Sequence, residues 1–238
     1  MLRAITLDYW DTIYIGASAP ERVERRQEAL VHMLAALGTT VPREEFDALY
    51  HESAQVANRW WRDEQRGYHT ADRIRWILGK LSIERPADCE HVAHAASVVD
   101  KTLIDFPPPL LPGAKAGIEA LAARFSLAIV SDTGFASGTA QDQLLRTDGL
   151  RDHFVATIYS MDVGLAKPRH EIFQAALDAL GVEPAETLHV GDIERTDVRG
   201  ALAMGMRAVR LDAIRDSGPS TGEFVARSWP ELLGYIVE

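Results

Sequence analysis

Apolar positions change their spacing twice along the chain, and those changes divide it. Leu2 to Leu7 is a short apolar run that stops at Asp8, the pattern of a buried strand. After Thr12 the spacing becomes helical. Pro20-Glu21 opens a first helix, Leu30, Leu34 and Leu37 line one side, and Gly38 closes it. Val41-Pro42 starts a second, with Phe46, Leu49 and Tyr50 on one face, running to about Arg66-Gly67. A third spans Thr70 to Lys80, capped by Thr70-Ala71-Asp72, and a fourth runs from about Ala87 to Ile104. This block contains no alternating strand pattern and reads as a helical bundle.

Phe106 to Gly113 carries three consecutive prolines and ends the helical pattern. Beyond it, strands and helices alternate. Strands are expected at 127–130, 155–159, 187–190, 208–211 and 224–226. Helices are expected at 116–124, 139–146, 171–180 and 197–204, with a last one opened by the capping box Ser228-Trp229-Pro230-Glu231. Such alternation means parallel strands joined by crossover helices. The first strand matches this sheet in character. Residues 1–14 and 107–238 therefore form one α/β unit, and 15–106 are a helical insertion within it.

The polar residues then fall in a pattern of their own. Four segments after strands carry them: Asp8 to Thr12, Ser131-Asp132-Thr133-Gly134, Lys167-Pro168, and Asp192 to Asp197. In a parallel sheet these ends share one crevice. Clustered carboxylates repel unless a cation sits among them, and hard oxygen ligands suit Mg²⁺. A carboxylate can attack phosphorus and divide one displacement into two steps. A lysine, a hydroxyl and backbone N–H groups supply the compensating charge and the phosphoryl contacts.

These segments, in this order and spacing, resemble the four motifs of the haloacid dehalogenase superfamily. The resemblance covers Leu2 to Thr12 and Leu111 onward. It implies a three-layer Rossmann-like parallel-sheet core with an inserted helical-bundle cap of the type 1 kind. It further implies Asp8 as nucleophile, Lys167 as charge balancer and Ser131 as phosphate binder, with Thr12, Asp132 and Thr133 around the phosphate. Asp8, the Trp10 backbone carbonyl, Asp192 and Asp197 would serve a Mg²⁺ ion. One position departs from the family's phosphatases. Trp10 stands where a second Asp protonates the leaving group, and Asp11 follows it. Three readings remain: Asp11 acts as the acid, the leaving group needs little protonation, or the chemistry is not phosphomonoester hydrolysis. A 2-haloacid dehalogenase-type hydrolase and a catalytically weak binding or regulatory module are the alternatives. The favoured expectation is a Mg²⁺-dependent phosphatase acting on a small phosphorylated metabolite.

Composition narrows the classes without choosing among them. The chain has 238 residues, 47% hydrophobic and 25% charged, ordinary for a globular protein. A net charge of −10 argues against a nucleic-acid partner. No apolar run is long enough to cross a membrane, and no signal peptide is recognisable. The single cysteine, Cys89, forms no internal disulfide and suits a reducing compartment, so a cytoplasmic location is expected. Oligomeric state is not legible. In the helical block, Arg59-Trp60-Trp61-Arg62 and Tyr68-His69 are candidates to grip substrate, weighed against an ordinary amphipathic face. Cys89-Glu90-His91 with His94 lacks a second ligand pair at zinc spacing and reads as a surface helix.

Overall fold

Six strands form one parallel sheet in the computed structural model, which describes residues 1–17, 19–84 and 89–237. They are β1 (Ala4–Leu7), β2 (Ser126–Ser131), β3 (Phe154–Tyr159), β4 (Thr187–Gly191), β5 (Arg207–Leu211) and β6 (Phe224–Ala226). Their order is β3-β2-β1-β4-β5-β6. The chain therefore winds outward from β1 on one side, returns, and winds outward again from β4. The crevice outside the carboxyl ends of β1 and β4 is the switch point where ligands bind in such sheets. Register places Leu7 opposite Ile129 and Val190, so Asp8 and the residues after β2 and β4 leave the sheet at one level.

Residue alternation sorts the two faces. Ile5, Leu7, Leu127, Ile129, Leu188 and Val190 face α5 (Ala114–Ala122), α6 (Gly138–Thr147) and α10 (Trp229–Val237). Ala128, Val130 and Ala208 face α8 (His170–Leu180) and α9 (Arg199–Ala203). All four β1 residues are fully buried, as a strand covered on both faces requires. The result is the expected three-layer, Rossmann-like parallel-sheet fold.

The helical insertion consists of α1 (Pro20–Ala36), α2 (Arg43–Arg62), α3 (Thr70–Lys80) and α4 (Glu90–Asp105). It has its own apolar cluster, built on Leu30, Leu34, Phe46, Ile74, Ile77 and Val99. Phe135, from the loop after β2, plugs into that cluster. Burying such side chains is worth roughly 1.5–3 kcal/mol each, so Phe135 pins the helical block to the sheet. Among the described residues, no helix is long and apolar enough to cross a membrane.

Several expected boundaries move. The second helix stops at Arg62, because Gln65 takes a left-handed turn (φ 51°) and the next residues pair with another loop. Arg66 bridges Leu165 in antiparallel fashion, Gly67 donates to the Gly164 carbonyl, and Ala166 donates to that of Gln65. At the start of α3, Asp72 accepts the N–H of His69, while the Thr70 hydroxyl donates to the Phe135 carbonyl. The expected helix from Asp197 instead begins as a π-helical turn, Glu194–Val198, before α9. At α10 the Glu231 carboxylate returns to the N–H of Arg227, one residue earlier than the box predicts. The Ser160–Val163 helix, α7, has no counterpart in the sequence reading. The expected start of the fourth helix, Ala87, lies outside the described residues.

Candidate active site

Asp8 emerges where β1 ends, and the fold brings a lysine to it across 159 positions. Lys167 Nζ donates to Asp8 Oδ1 at 2.7 Å and to Asp197 Oδ1 at 2.6 Å. All three side chains are buried. Burial alone works against the lysine's charge, but Asp197 and Asp8 raise its pKa above the ordinary value and keep it protonated. Burial also works against an ionised Asp197, yet Lys167 and His189 hold its carboxyl well below the usual range.

Asp197 reaches this position by a local device. The π-helical turn lets its carboxylate fold back and accept the Ile193 N–H through Oδ2 at 2.9 Å, with the Thr196 hydroxyl at 3.2 Å. Gly191 makes the approach possible: a Cβ there would sit 2.4 Å from Asp197 Cγ. Behind it, His189 Nε2 lies 3.2 Å from Asp197 Oδ1, and His189 Nδ1 lies 2.8 Å from Thr6 Oγ1. Burial lowers the histidine's pKa, so the ring is neutral. With a carboxylate at Nε2, the hydrogen sits on that nitrogen and Nδ1 accepts from Thr6.

Asp192 completes the carboxylate group. Oxygens of Asp8, Asp192 and Asp197 lie within 4.8 Å of one another. Burial and the nearby Asp197 push Asp192 up to about 7, against the opposing pull of Arg215. Burial likewise raises Asp8 well above the carboxylate range, with Asp197 and Asp192 adding to the effect and Lys167 opposing it. Among the described residues, Lys167 and, from the rim, Arg215 are the cations that meet these three acids, Arg215 donating to Asp192 Oδ2 at 2.8 Å. An all-oxygen, electron-rich group short of positive charge fits a hard divalent cation such as Mg²⁺. Both oxygens of Asp197 already hold protein donors, so Asp8 and Asp192 are the better placed to ligate and Asp197 to position.

The group opens into a cavity of about 350 Å³. Trp10, Asp11, Thr133 and Gly134 line it from the sheet side; Asn58, Trp61, Tyr68 and Arg73 line it from the helical insertion. Asp132 links the two sides. Its Oδ1 accepts the Lys167 N–H at 2.9 Å, and its Oδ2 accepts Trp61 Nε1–H at 2.8 Å.

The other expected site residues have contacts of their own. Ser131 is fully buried, and its hydroxyl donates to Gln141 Oε1 at 3.0 Å. Thr12 is fully buried outside the cavity lining; its carbonyl accepts Trp229 Nε1–H. Thr133 donates its N–H to Ser160 Oγ at 2.9 Å. Asp11 has a left-handed backbone (φ 53°), and its Oδ1 accepts the Gly16 N–H at 2.7 Å. Of the aromatic–arginine segment, Trp61 alone reaches the cavity. Arg59 and Arg62 are exposed, and the cations over Trp61 and Trp60 come from Arg195 and Arg66. Sequence reasoning missed His189, Arg73 and Arg215. A histidine inside the apolar run 187–190 was a usable signal; the two arginines had none.

Comparison with known proteins agrees with this geometry. A sequence model of the haloacid dehalogenase-like hydrolases matches residues 2–205. The chain is 35% identical over 227 residues to the pyrimidine 5'-nucleotidase YjjG of Escherichia coli, covering 92% of each chain. It is 29% identical over 221 residues to a glyceraldehyde 3-phosphate phosphatase of Methanopyrus kandleri, covering 89% of this chain and 84% of that one. The fold matches a 2-haloacid dehalogenase from Pseudomonas syringae with TM-score 0.71 at 22% identity, covering 100% and 99% of the two chains. The chain thus belongs to the haloacid dehalogenase-like hydrolases and is an enzyme of that hydrolase family.

Proposed function

We propose that the protein is a Mg²⁺-dependent phosphatase that hydrolyses a small phosphorylated metabolite through a phosphorylated Asp8. The observation that carries this reading is the buried Lys167–Asp8 contact beside Asp192, at the floor of a cavity. Relatives named as a nucleotidase and a sugar-phosphate phosphatase support it. In this reading α1–α4 form a cap domain, with residues 1–14 and 107–238 as the core domain.

Asp8 attacks phosphorus. A bond forms from its carboxylate oxygen to phosphorus, and the ester bond to the leaving oxygen breaks. Lys167 offsets the charge shared by Asp8 and the transferring group. The leaving oxygen takes up a proton, either from Asp11, once its carboxylate releases Gly16 and is protonated, or from water. A water molecule then attacks the same phosphorus, the bond to Asp8 breaks, and phosphate departs. Asp8, Asp192 and the Trp10 carbonyl would hold Mg²⁺, with Asp197 held behind them. That ion supplies charge for the phosphoryl oxygens. Asp132 fixes Lys167 through its backbone N–H and ties Trp61 over the cavity.

One observation favours a second reading. Trp10 occupies the sequence position of the family's usual proton donor and lines the cavity, and displacement of a halide needs no such donor. Halide release that continues in the presence of a chelator would support dehalogenation. The test of the main reading is a panel of phosphate monoesters with Mg²⁺, comparing wild type with Asp8→Asn. Turnover by wild type that disappears in the variant is expected. Equal turnover by both, or none by either, would overturn the reading.

A further inference from the structure

Three arginines of the helical block are buried near the site, and among the described residues none of them is hydrogen-bonded to a carboxylate. Arg22 and Arg26 on α1 are 3% and 8% exposed, and Arg73 on α3 is 7% exposed. Their hydrogen-bond acceptors are neutral. Arg22 donates to the Ala17 carbonyl, Arg26 Nε to Thr102 Oγ1 at 3.0 Å, and Arg73 to Ser53 Oγ and the Tyr50 carbonyl. Arg22 Nε is buried with no partner among the described residues. Phe135 gathers two of the cations: the guanidinium carbon of Arg73 is 4.0 Å from its ring centre and that of Arg26 is 5.6 Å. Asp100 influences Arg26, but its Oδ1 already accepts the Ser137 N–H. Burial lowers the pKa of all three arginines.

A buried cation left unpaired is costly, and a guanidinium is suited to gripping an oxyanion through paired N–H groups. These arginines also have space before them. Arg22 and Arg26 line a second cavity of about 300 Å³ together with Trp10, Asp11, Asp132, Gly134 and Phe135; the Asp132 carboxylate there already accepts the Lys167 and Trp61 N–H groups, and that of Asp11 the Gly16 N–H. Trp10, Asp11 and Gly134 line the Asp8 cavity as well, and Arg73 lines that cavity directly. The two spaces are thus neighbours that share the Trp10–Asp11 turn in their walls.

We propose that Arg22, Arg26 and the adjoining Arg73 form a subsite for a second anionic group on the substrate, a carboxylate or second phosphate at the end remote from the phosphoryl group that Asp8 attacks. The proposal deepens the phosphatase reading and rests on it for the identity of the first group. The enzyme would then select metabolites that are anionic at both ends over phosphate monoesters whose far end is neutral.

Two measurements test the subsite apart from turnover. Without Mg²⁺ the Asp8 end of the cavity is acidic, so inorganic sulfate has the arginine cavity as its favourable place. Sulfate should raise the melting temperature of wild type, less so in Arg22→Lys, and leave Arg22→Gln unmoved. The Arg22→Gln protein should itself melt no lower than wild type in sulfate-free buffer, because it loses an unpaired buried charge. With Mg²⁺ and the non-turning Asp8→Asn protein, calorimetry should show 3-phosphoglycerate binding at least about tenfold more tightly than glycerol 3-phosphate, and adding Arg22→Gln should erase the difference. Equal affinity for the two esters, or a sulfate effect that survives Arg22→Gln, would overturn the subsite. Failure of wild type to turn over any phosphate ester would overturn the phosphatase reading and leave the sulfate result standing.

Discussion

Trp61 Nε1 on α2 donates to Asp132 Oδ2 after β2 at 2.8 Å, and the other oxygen of that carboxylate accepts the N–H of Lys167. One side chain thus joins the helical block to the lysine that holds Asp8. Trp61→Phe keeps an aromatic ring and removes the donor, leaving an oxygen of the half-buried Asp132 carboxylate unpaired. The expected cost is about 1–3 kcal/mol of stability, read by urea unfolding. A several-fold rise in KM should accompany it, since the helical wall of the cavity loses its tie.

Gly67 tests the same junction through the backbone. A Cβ at this position would lie 1.7 Å from the Ser160 carbonyl oxygen, and the residue donates to Gly164. Gly67→Ala must push the 65–67 segment off the 164–166 loop. A loss of about 1–3 kcal/mol is expected, with faster amide exchange at position 67 and at Ala166. Unchanged exchange there would mean that the pairing does not hold the two parts together.

Lys167→Met removes the cation shared by Asp8 and Asp197 while keeping most of the volume. The acids are then left buried against one another. Breaking a buried pair in this way costs about 3–5 kcal/mol, and turnover should fall to background. Added Mg²⁺ should restore part of the stability and none of the activity, which thermal melts with and without the ion would show.

Much of this was legible because chemistry sat where the pattern changed. Asp8 follows directly on an apolar run, Asp192 on another, and Lys167-Pro168 just before a helix, so the strand ends announced a crevice. That the strands run parallel followed from alternation; their order in the sheet did not. The arginines were not legible. On an amphipathic helix a charge reads as solvated, and the contacts that bury Arg26 and Arg73, among them the Phe135 ring, come from distant parts of the chain. The Trp61–Asp132 bond spans 71 positions and leaves no local trace. Arg59 and Arg62, adjacent to the tryptophans in sequence, point to solvent because helical geometry separates neighbours by about 100°.

Glu194 gives a pH prediction with a definite sign. Its partial burial opposes ionisation, but hydrogen bonds from Ser220 and Thr221 and the charge of Arg210 outweigh that and lower its pKa below 4.5. A lowered carboxylate stabilises the fold above its unfolded pKa, and that contribution disappears as pH falls through the folded value. Glu194→Gln should therefore cost about 1–2 kcal/mol near pH 7 and progressively less below about pH 4. Urea unfolding of both proteins across that range checks it. A difference that grows on acidification would contradict the assignment.

The central claim is that Asp8 becomes phosphorylated. Wild-type enzyme with Mg²⁺ and a turned-over phosphate ester should be quenched in acid during steady state, and its peptides weighed by mass spectrometry. A phosphoryl adduct on the peptide 4–14, confined to Asp8 and absent from Asp8→Asn, is the result expected. Sustained turnover with no adduct on Asp8, or with turnover retained in Asp8→Asn, would contradict the account.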